Sequence, residues 1–172
     1  VVKTVTHEDV NMEELGGAET HATKSGVAHC IYDNEVDLIN NIRKLISYLP
    51  LNNLENPPIK HYGDDKKTDY SLDQLIPNNP NKPYDMYSVI DSILDTDTFF
   101  EIHSLFAKNI IVGFGRLEGI SIGIVANQPA HLAGVLDINA SIKAARFVRF
   151  CDAFNIPLIT FEDVPGFLPG TN

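Results

Sequence analysis

Two glycine-bearing segments are the clearest candidates for binding or catalysis in this sequence. The first is Gly16-Gly17-Ala18, and the second runs from Val164 to Gly170 directly after a predicted strand. Because glycine lacks a Cβ atom, the backbone N–H and C=O groups of such segments can approach a ligand closely. Two N–H groups held together in this way can stabilise a developing oxyanion. A plain turn is the simpler interpretation of either segment from spacing alone, so these residues leave the function open.

Side-chain catalysis and metal binding have little support in the sequence. The six histidines form no HExxH motif or other ligand spacing, so we predict no metal site. Ser25 lies outside a GxSxG elbow, and Lys24-Ser25 lacks the glycines of a phosphate-binding loop. Cys30 and Cys151 have no CxxC spacing and are predicted to be buried free thiols. The glycine-bearing segments therefore remain the main candidates.

Two further patterns have structural interpretations. Lys143, Arg146 and Arg149 lie on one side of a predicted helix and could meet an anionic ligand, but we favour a solvated or salt-bridged helix face. Gly113-Phe-Gly115 lies inside a predicted strand pair. There the glycines are expected to permit close backbone approach or a bulge rather than to bind a dinucleotide.

The first half of the chain predicts few regular elements. The β-branched residues of Val1–Val5 predict the tail of a strand. A helix is predicted from Asp33 or Asn34, either of which can cap it, along an apolar stripe that ends at Pro50. Residues 50–84 contain six prolines among many asparagines, which predicts an inter-domain connection and a boundary near residue 84.

The second half predicts alternating helices and strands. In order, the predicted elements are a helix capped by Asp85, a helical or turn segment at 99–107, strands at 109–115 and 120–126 joined by 116–119 as an antiparallel hairpin, a helix over 139–154 capped by Asn139, and a strand at Leu158–Phe161. The expected buried face of the 139–154 helix consists of Ile142, Ala145, Val148, Cys151 and Phe154. This ββα order predicts an α/β architecture.

The composition predicts a folded protein that does not bind nucleic acid or membranes. Hydrophobic residues make up 44% of the 172 residues and charged residues 21%, near the averages for globular domains. The net charge of −10, without clustered Lys and Arg, argues against binding to nucleic acid or anionic membrane. No run is long enough to span a membrane, and residues 1–20 lack the pattern of a signal peptide. An intracellular, reducing compartment is expected.

Four segments together resemble the carboxyltransferase (β) subunits of biotin-dependent acyl-CoA carboxylases, and within that family the propionyl-CoA-specific members. They are Glu14–His29, Ala107–Arg116, Val125–Pro129 and Lys143–Thr171. The last segment contains the long motif Phe161-Glu-Asp-Val-Pro-Gly-Phe-Leu-Pro-Gly170. The resemblance covers essentially the whole chain and is weakest over residues 52–82.

The resemblance implies a crotonase-like (ClpP/crotonase) α/β fold built from ββα units. Residues 1–50 would be the C-terminal part of the N-terminal carboxyltransferase domain, on the acyl-CoA side. Residues 51–83 would connect the domains, and 84–172 would be the N-terminal part of the C-terminal domain, on the biotin side. The chain is therefore expected to be an internal piece of a longer subunit.

The activity implied by the resemblance is transfer of the carboxyl group from carboxybiotin to the α-carbon of propionyl-CoA, giving methylmalonyl-CoA. Biotin would arrive on an α subunit that contains the biotin carboxylase and the biotin carrier, and no metal is expected in this subunit. The site would lie between β subunits of a homo-oligomer in the cytoplasm, or in the mitochondrial matrix of a eukaryote. The main oxyanion loops are expected outside these 172 residues, so no catalytic residue is assigned and the chain alone is expected to be inactive.

The resemblance also assigns binding residues. The biotin contacts that it implies are Val164, Pro165, Gly166, Phe167 and Gly170. Among these, the main chain around Gly166 and Phe167 is the expected point of contact. Gly16, Gly17 and Ala18 would have a supporting part on the acyl-CoA side.

Two other functions remain open. The same fold serves methylmalonyl-CoA decarboxylase and transcarboxylase subunits, from which a carboxylase differs by fixing bicarbonate with ATP. Alternatively, the chain could be a non-catalytic assembly module with exposed sheet edges. In that case, deletion of residues 164–170 from the full-length protein would leave turnover intact.

Overall fold

A computed structural model describes residues 2–60, 72–79 and 82–169 as seven α-helices, four strands and one short 3₁₀ turn. The helices are α1 (Val2–Thr6), α2 (Met12–Gly16), α3 (Ala18–Thr23), α4 (Glu35–Ile46), α5 (Leu72–Leu75), α6 (Met86–Ile93) and α7 (Ile138–Ala153). The strands are β1 (Phe100–Ile102), β2 (Ile110–Leu117), β3 (Ile120–Asn127) and β4 (Leu158–Phe161), and the 3₁₀ turn is Leu132–Gly134.

The N-terminal segment is helical rather than extended. Val2–Thr6 forms α1, so the prediction of a strand at Val1–Val5 is wrong for the four described residues, and Val1 lies outside them. Branched residues favour a strand where a sheet is available to pair and pack them. No described strand pairs with this segment, and none of its residues is buried. Local helical hydrogen bonding therefore prevails.

Helix α4 begins where the capping rules predict. The Asn34 side chain accepts a hydrogen bond from the Asp37 N–H at 2.9 Å, and the helix ends at Ile46, before Pro50. Its apolar stripe is incompletely covered, since Ile39 and Ile46 are 49% and 60% exposed. After α4 the chain turns inward, and Tyr48 is buried against the sheet.

The proline-rich segment has little regular structure where it is described. Helix α5 is a single turn, and residues 61–71, 80 and 81 lie outside the described ranges. Ile59 forms an isolated bridge with Ile120 at the start of β3. Around this bridge, Pro58 and Lys60 also form hydrogen bonds with the β2–β3 hairpin, so the segment contacts the sheet beside the hairpin turn.

The four strands form one mixed sheet in the order β1-β2-β3-β4. The predicted hairpin is confirmed: β2 and β3 pair antiparallel over their full lengths, from Ile110 opposite Asn127 to Leu117 opposite Ile120. Its connection is shorter than predicted, because only Glu118 and Gly119 form the turn, both with positive φ. Strand β4 pairs parallel with β3, as expected for a strand reached through a crossover helix.

Strand β1 corrects the sequence interpretation of residues 99–107 as a helical or turn segment. Phe100, Glu101 and Ile102 pair antiparallel with β2, and a tight turn follows. The segment is too short for periodicity to distinguish a strand from a helix. The close approach predicted for Gly113 is confirmed here, because a Cβ atom on Gly113 would lie 2.5 Å from the Phe100 carbonyl oxygen.

Helix α7 begins earlier and faces the sheet differently than predicted. Its N-cap is Asp137, whose side chain accepts from the Ala140 N–H at 2.7 Å, so the assignment of the cap to Asn139 is wrong. Either residue type can cap a helix, and the chain enters α7 two residues earlier. The buried residues of α7 are Ala140, Lys143, Phe147 and Cys151, whereas the predicted core positions Ile142 and Val148 are 47% and 38% exposed.

Alternating strand residues build two apolar layers around the sheet. On one face, Val112, Phe114 and Val125 pack with Phe147 and Cys151 of α7, together with Tyr48. On the other face, Ile111, Ile122, Ile124 and Ala126 pack with Met86, Ile90 and Leu94 around α6. Both faces of β2 and β3 are therefore buried, and the α/β prediction is confirmed.

Candidate functional site

The segment after β4 runs as an extended loop beside the chain that enters α7. The Leu136 N–H donates to the Gly166 carbonyl at 3.1 Å, and the Leu168 N–H donates to the Leu136 carbonyl at 2.8 Å. Together these bonds form a parallel bridge between Leu136 and Phe167. The loop is thus held by the backbone of a neighbouring segment.

The bridge leaves the main chain of Phe167 available. In an extended segment successive peptide groups point to opposite sides, so Gly166 and Leu168 use the side that faces Leu136. Phe167 directs its N–H and C=O away from that side, and neither group has a hydrogen-bond partner among the described residues. This arrangement offers one backbone donor and one acceptor to a ligand.

Gly166 gives the loop its shape. Its φ of +148° belongs to a region that L-residues with side chains rarely adopt. A Cβ atom built on Gly166 would meet no atom of the described residues within 4 Å, so among these residues space is open beside the backbone there. Phe167 itself is 77% exposed, and Val164 is 40% exposed. An exposed backbone with open space beside it can accept a flat polar group against the main chain.

A buried amide connects this loop to the sheet. Asn127 is the last residue of β3 and is 6% exposed. Its Nδ2 donates to the Gly134 carbonyl at 2.9 Å, and its Oδ1 accepts from the Asp163 N–H at 3.3 Å. The Tyr84 hydroxyl holds the Asp163 carboxylate at 2.8 Å. Burial and this contact with Asp163 raise the pKa of Tyr84 to about 12, so its hydroxyl remains a donor.

The Gly16-Gly17-Ala18 segment is a junction between two short helices. The Gly17 N–H donates to the Glu13 carbonyl at 2.8 Å, and Thr20 Oγ1 donates to the same carbonyl at 3.0 Å. Gly17 has φ −75° and ψ 174°, which any residue can adopt. A Cβ atom there would meet the Glu13 side chain, which can move aside. The plain-turn interpretation thus fits this segment well.

The two glycine-bearing segments share no hydrogen bond among the described residues. Across residues 2–60, 72–79 and 82–169, no hydrogen bond joins residues 16–18 to residues 163–168. Of the predicted biotin contacts, Val164, Pro165, Gly166 and Phe167 form one continuous loop. Gly170 lies outside the described residues.

An apolar cleft was not foreseen from the sequence. It has a volume of about 530 Å³ and lies between α4, β1 and α7, with His29, His103 and Arg146 in its lining. The rings of His29 and His103 are in contact, with centroids 4.2 Å apart and their planes tilted by 35°. His103 is 5% exposed, and its Nε2 has no hydrogen-bond partner among the described residues. Burial, followed by the charges of His29 and Lys143, lowers the pKa of His103 to about 4.

Lys143 contradicts the prediction of a solvated or salt-bridged face. It is 1% exposed and donates to the carbonyls of Phe106 at 2.8 Å, Ala107 at 3.3 Å and Ile110 at 2.7 Å. Burial lowers its pKa to about 8, against the opposing charge of Glu101. Arg146 and Arg149 are exposed, as predicted.

The remaining candidates concern metals, thiols and membranes. Among the described residues, no group of three or more His, Cys, Asp or Glu side chains is placed to hold a metal ion. Cys30 and Cys151 are both free thiols as predicted, although Cys30 is only half-buried. In the part of the chain that the structure describes, no helix has the length and apolar character needed to cross a bilayer.

This chain matches one protein family over its whole length. The carboxyl transferase domain family matches residues 1–172. The propionyl-CoA carboxylase β chain of Roseobacter denitrificans is 58% identical over 173 residues, covering 100% of this chain and 34% of that protein. The methylmalonyl-CoA decarboxylase subunit α of Veillonella parvula is 54% identical over 173 residues, covering 100% of this chain and 34% of that protein.

A solved structure agrees with these relatives. A transcarboxylase 12S crystal structure, described as a hexamer assembly with methylmalonyl-CoA and methylmalonic acid bound, matches with a TM-score of 0.94 at 45% identity. The match covers 98% of this chain and 32% of that chain. The predicted carboxyltransferase fold is therefore confirmed, and its mixed α/β sheet is consistent with the crotonase-like form. The chain spans about a third of the length of the curated relatives that it matches.

Proposed function

This chain belongs to the carboxyl transferase domain family, and we propose that it works as part of the carboxyltransferase subunit of a propionyl-CoA carboxylase. The reaction would move a carboxyl group from carboxybiotin to the α-carbon of propionyl-CoA and give methylmalonyl-CoA. The observation that carries the proposal is the loop at Gly166 and Phe167, where the Phe167 N–H and C=O have no hydrogen-bond partner and a Cβ atom on Gly166 no neighbour among the residues that the structure describes. The high identity to a propionyl-CoA carboxylase β chain supports the same activity.

The proposal divides the chain between two domains. Residues 1–50 would complete an acyl-CoA-side domain, 51–83 would connect it, and 84–172 would begin a biotin-side domain. The proline-rich composition and short elements of the middle segment support this division. The sheet, α6 and α7 all belong to the proposed second domain, so its core is the part that positions the loop after β4, from Glu162 to Gly170, which is called the closing loop below.

The closing loop fits a flat ureido group. Val164, Pro165, Gly166, Phe167 and Gly170 are the proposed contacts. The open space at Gly166 lets a ligand lie against the main chain, where a side chain would otherwise stand. Phe167 contributes its N–H as a donor to a carbonyl oxygen and its C=O as an acceptor for a ring N–H. When bound, biotin supplies the carboxyl group that is transferred.

The described residues would act by positioning and by fixed dipoles. The Phe167 N–H is held in place by the bridge to Leu136, so it need not reorganise when negative charge grows on a bound oxygen. The exposed Phe167 ring would cover the ligand and exclude water. Proton abstraction from the acyl group is assigned to no side chain of this segment. Gly16, Gly17 and Ala18 are proposed to shape the acyl-CoA side through the junction of α2 and α3.

The partners and location follow from the same proposal. The subunit would form a homo-oligomer and receive biotin from an α subunit with biotin carboxylase and carrier functions. The hexamer of the transcarboxylase neighbour supports self-association. The expected location is the cytoplasm, or the mitochondrial matrix if the source is a eukaryote.

A second candidate function is the decarboxylase or transcarboxylase reaction on methylmalonyl-CoA. Relatives with these activities in their names are 54% and 45% identical to this chain. Both reactions use the same acyl-CoA and the same carrier group, so they make the same demands on the closing loop. These reactions differ from the carboxylase reaction in the source of the carboxyl group and in its final acceptor.

One experiment separates the two candidates. The full-length subunit is combined with its biotinylated partner, and incorporation of labelled bicarbonate into propionyl-CoA is measured with and without ATP. We expect incorporation that requires ATP and biotin. Release of CO₂ from methylmalonyl-CoA without ATP-dependent fixation would instead support the second candidate. Fixation that persists without biotin would contradict both.

A further inference from the structure

We propose that Asn127 is a positioning residue for the carrier-binding loop, an inference that rests on the proposed function. Its single side chain joins the end of β3, the turn before α7 and the segment after β4. Both polar atoms of its side-chain amide form hydrogen bonds: Nδ2 donates and Oδ1 accepts. No reacting group has to touch Asn127 for this role.

The position of Asn127 at the end of β3 explains how its side chain contacts the segment after β4. Strands β3 and β4 are parallel and in register up to Ala126 opposite Phe161, so both chains leave the sheet at the same edge. Open α/β sheets bind ligands outside this carboxyl edge, where loops from neighbouring strands meet. Asn127 stands at that edge and bonds to the Asp163 N–H, two residues beyond the end of β4. The loop direction is thereby fixed as it leaves the sheet.

The donor arm of Asn127 fixes the opposite side of the loop. By holding the Gly134 carbonyl, it places the segment that continues through Val135 to Leu136. Leu136 then forms the two backbone bonds to Gly166 and Leu168. Asn109 adds a parallel support, since its Nδ2 donates to the Val135 carbonyl at 2.7 Å. The free N–H of Phe167 is therefore oriented by a chain of bonds that begins at Asn127.

Gly134 makes the same junction tight. Its φ is +72°, and a Cβ atom there would lie 2.7 Å from the Asp163 carbonyl oxygen. Both the conformation and the contact involve backbone, so a side chain at Gly134 would push the two loops apart. Gly134 and Asn127 thus both set the distance between the turn before α7 and the segment at Asp163. Substitutions at the two positions test this distance independently.

Gln128 is a matched control for Asn127. It is also a buried amide, 2% exposed, and it follows Asn127 directly. Its side-chain bonds go elsewhere: Nε2 donates to Asp85 at 2.8 Å, and Oε1 accepts from the Met86 N–H at 3.2 Å and from the Ala130 N–H at 3.3 Å. Gln128 therefore holds the start of α6 and its own turn at Ala130, and none of these partners belongs to the loop at residues 163–168. Asn127→Leu and Gln128→Met each remove one buried amide of similar volume.

The test uses full-length subunits and free biotin as the probe. Transfer of the carboxyl group from methylmalonyl-CoA to biotin is followed, with the α-carbon regaining a proton, and KM is determined for both substrates. In parallel, hydrogen–deuterium exchange is measured for the peptide that spans residues 163–169. We expect Asn127→Leu to raise the KM for biotin about tenfold and the KM for methylmalonyl-CoA less than twofold. Exchange in residues 163–169 should become faster.

The control and second variant decide the interpretation. Gln128→Met should lower the melting temperature as much as Asn127→Leu does but leave both the KM for biotin and the exchange at 163–169 unchanged. Gly134→Ala should reproduce the effects of Asn127→Leu. Equal behaviour of the Asn127 and Gln128 variants, or a rise in KM for methylmalonyl-CoA alone, would overturn the inference. If Asn127→Leu does not fold, Gly134→Ala decides by the same criteria.

A wrong proposed function and a wrong inference about Asn127 would give different results. If the wild-type subunit transfers no carboxyl group to biotin, that function is wrong, whatever the variants do. The exchange measurement still reports whether Asn127 and Gly134 hold residues 163–169. An active wild type with unchanged exchange and unchanged KM in both variants would leave the function standing and remove only the inference.

Discussion

Lys143 shows how much one residue can depend on tertiary context. In the sequence it follows a pattern with Arg146 and Arg149 that is typical of a solvated helix face. In the fold its ammonium group instead lies among the carbonyls of Phe106 and Ala107, in the connection between β1 and β2, and of Ile110, the first residue of β2. No feature of the α7 sequence indicates that these carbonyl acceptors lie nearby, so the burial of Lys143 could not be predicted.

We predict that Lys143→Met destabilises the full-length protein. The substitution keeps most of the side-chain volume but leaves buried carbonyls unpaired, at a cost of about 2 kcal/mol in the free energy of unfolding. Denaturant titration measures this change. The control is Lys108→Met, an exposed lysine in the same loop, for which a change within about 0.5 kcal/mol is expected. Equal effects of the two substitutions would show that the three hydrogen bonds contribute nothing.

His103 should make the protein sensitive to acid. Its folded pKa is about 4, below the ordinary value of 6.5, so between these values the unfolded state binds more protons than the folded state. Stability is therefore lost as the pH falls from about 6.5 to about 4. The same direction holds for His29, whose pKa is lowered by burial and by Arg146.

The variant His103→Asn tests this pH dependence. Asn tolerates the positive φ of 57° at this position and does not titrate. We expect the melting temperature of the full-length wild type to fall more between pH 7.5 and pH 5.0 than that of the variant. Identical falls, measured by calorimetry, would mean that His103 is protonated equally in the folded and unfolded states.

Two glycines of β2 set how closely neighbouring elements can approach it: Gly113 faces β1, and Gly115 faces Leu94 at the end of α6. A Cβ atom on Gly113 would meet the backbone oxygen of Phe100 at 2.5 Å, whereas one on Gly115 would meet the Leu94 side chain at 2.4 Å. Backbone in a paired strand cannot move aside as easily as a terminal methyl group. The two positions therefore provide a matched pair.

We predict that Gly113→Ala costs more stability than Gly115→Ala. Strain of this kind typically costs about 1–3 kcal/mol, and Gly113 should lie toward the upper end. Urea unfolding of the full-length variants gives the comparison. A larger loss for Gly115→Ala would imply that α6 is packed more rigidly against the sheet than β1 is paired to it.

Elements with strong local signals could be predicted from the sequence. The hairpin of β2 and β3, the helix capped by Asn34, the helix capped by Asp85 and the strand at Leu158 were all marked by capping residues, glycine turns or apolar runs. The errors occurred where a partner decides the conformation. The β-branched segment at Val2–Thr6 has no described strand beside it, and β1 is a strand because β2 pairs with it.

The candidate site was predicted only in part for a similar reason. Glycine and proline in the closing loop indicate exposed backbone, and the resemblance to a family assigned that loop a ligand. Asn127 stands within the Val125–Pro129 segment but carries no local sign of its role. Its partners Gly134 and Asp163 meet only through the parallel pairing of β3 and β4 around α7.

In the whole molecule, the described sheet and helices support the loop that is the proposed binding site. A sheet buried on both faces holds β3 and β4 so that their ends support the loop around Gly166 and Phe167. The α4 stripe remains partly exposed, with Ile39 and Ile46 about half accessible. The chain spans about a third of its curated relatives, which agrees with a proposed site that also needs other segments.

We propose that the main chain at Gly166 and Phe167 binds the carboxyl carrier. The most direct test is the kcat/KM for free biotin in carboxyl transfer from methylmalonyl-CoA, compared between the full-length wild type and Gly166→Ala. Alanine strains the backbone at φ +148° and fills the open space. We predict at least about a tenfold loss of kcat/KM for biotin, with the KM for methylmalonyl-CoA unchanged. An unchanged kcat/KM for biotin, or a defect confined to the acyl-CoA substrate, would contradict the account.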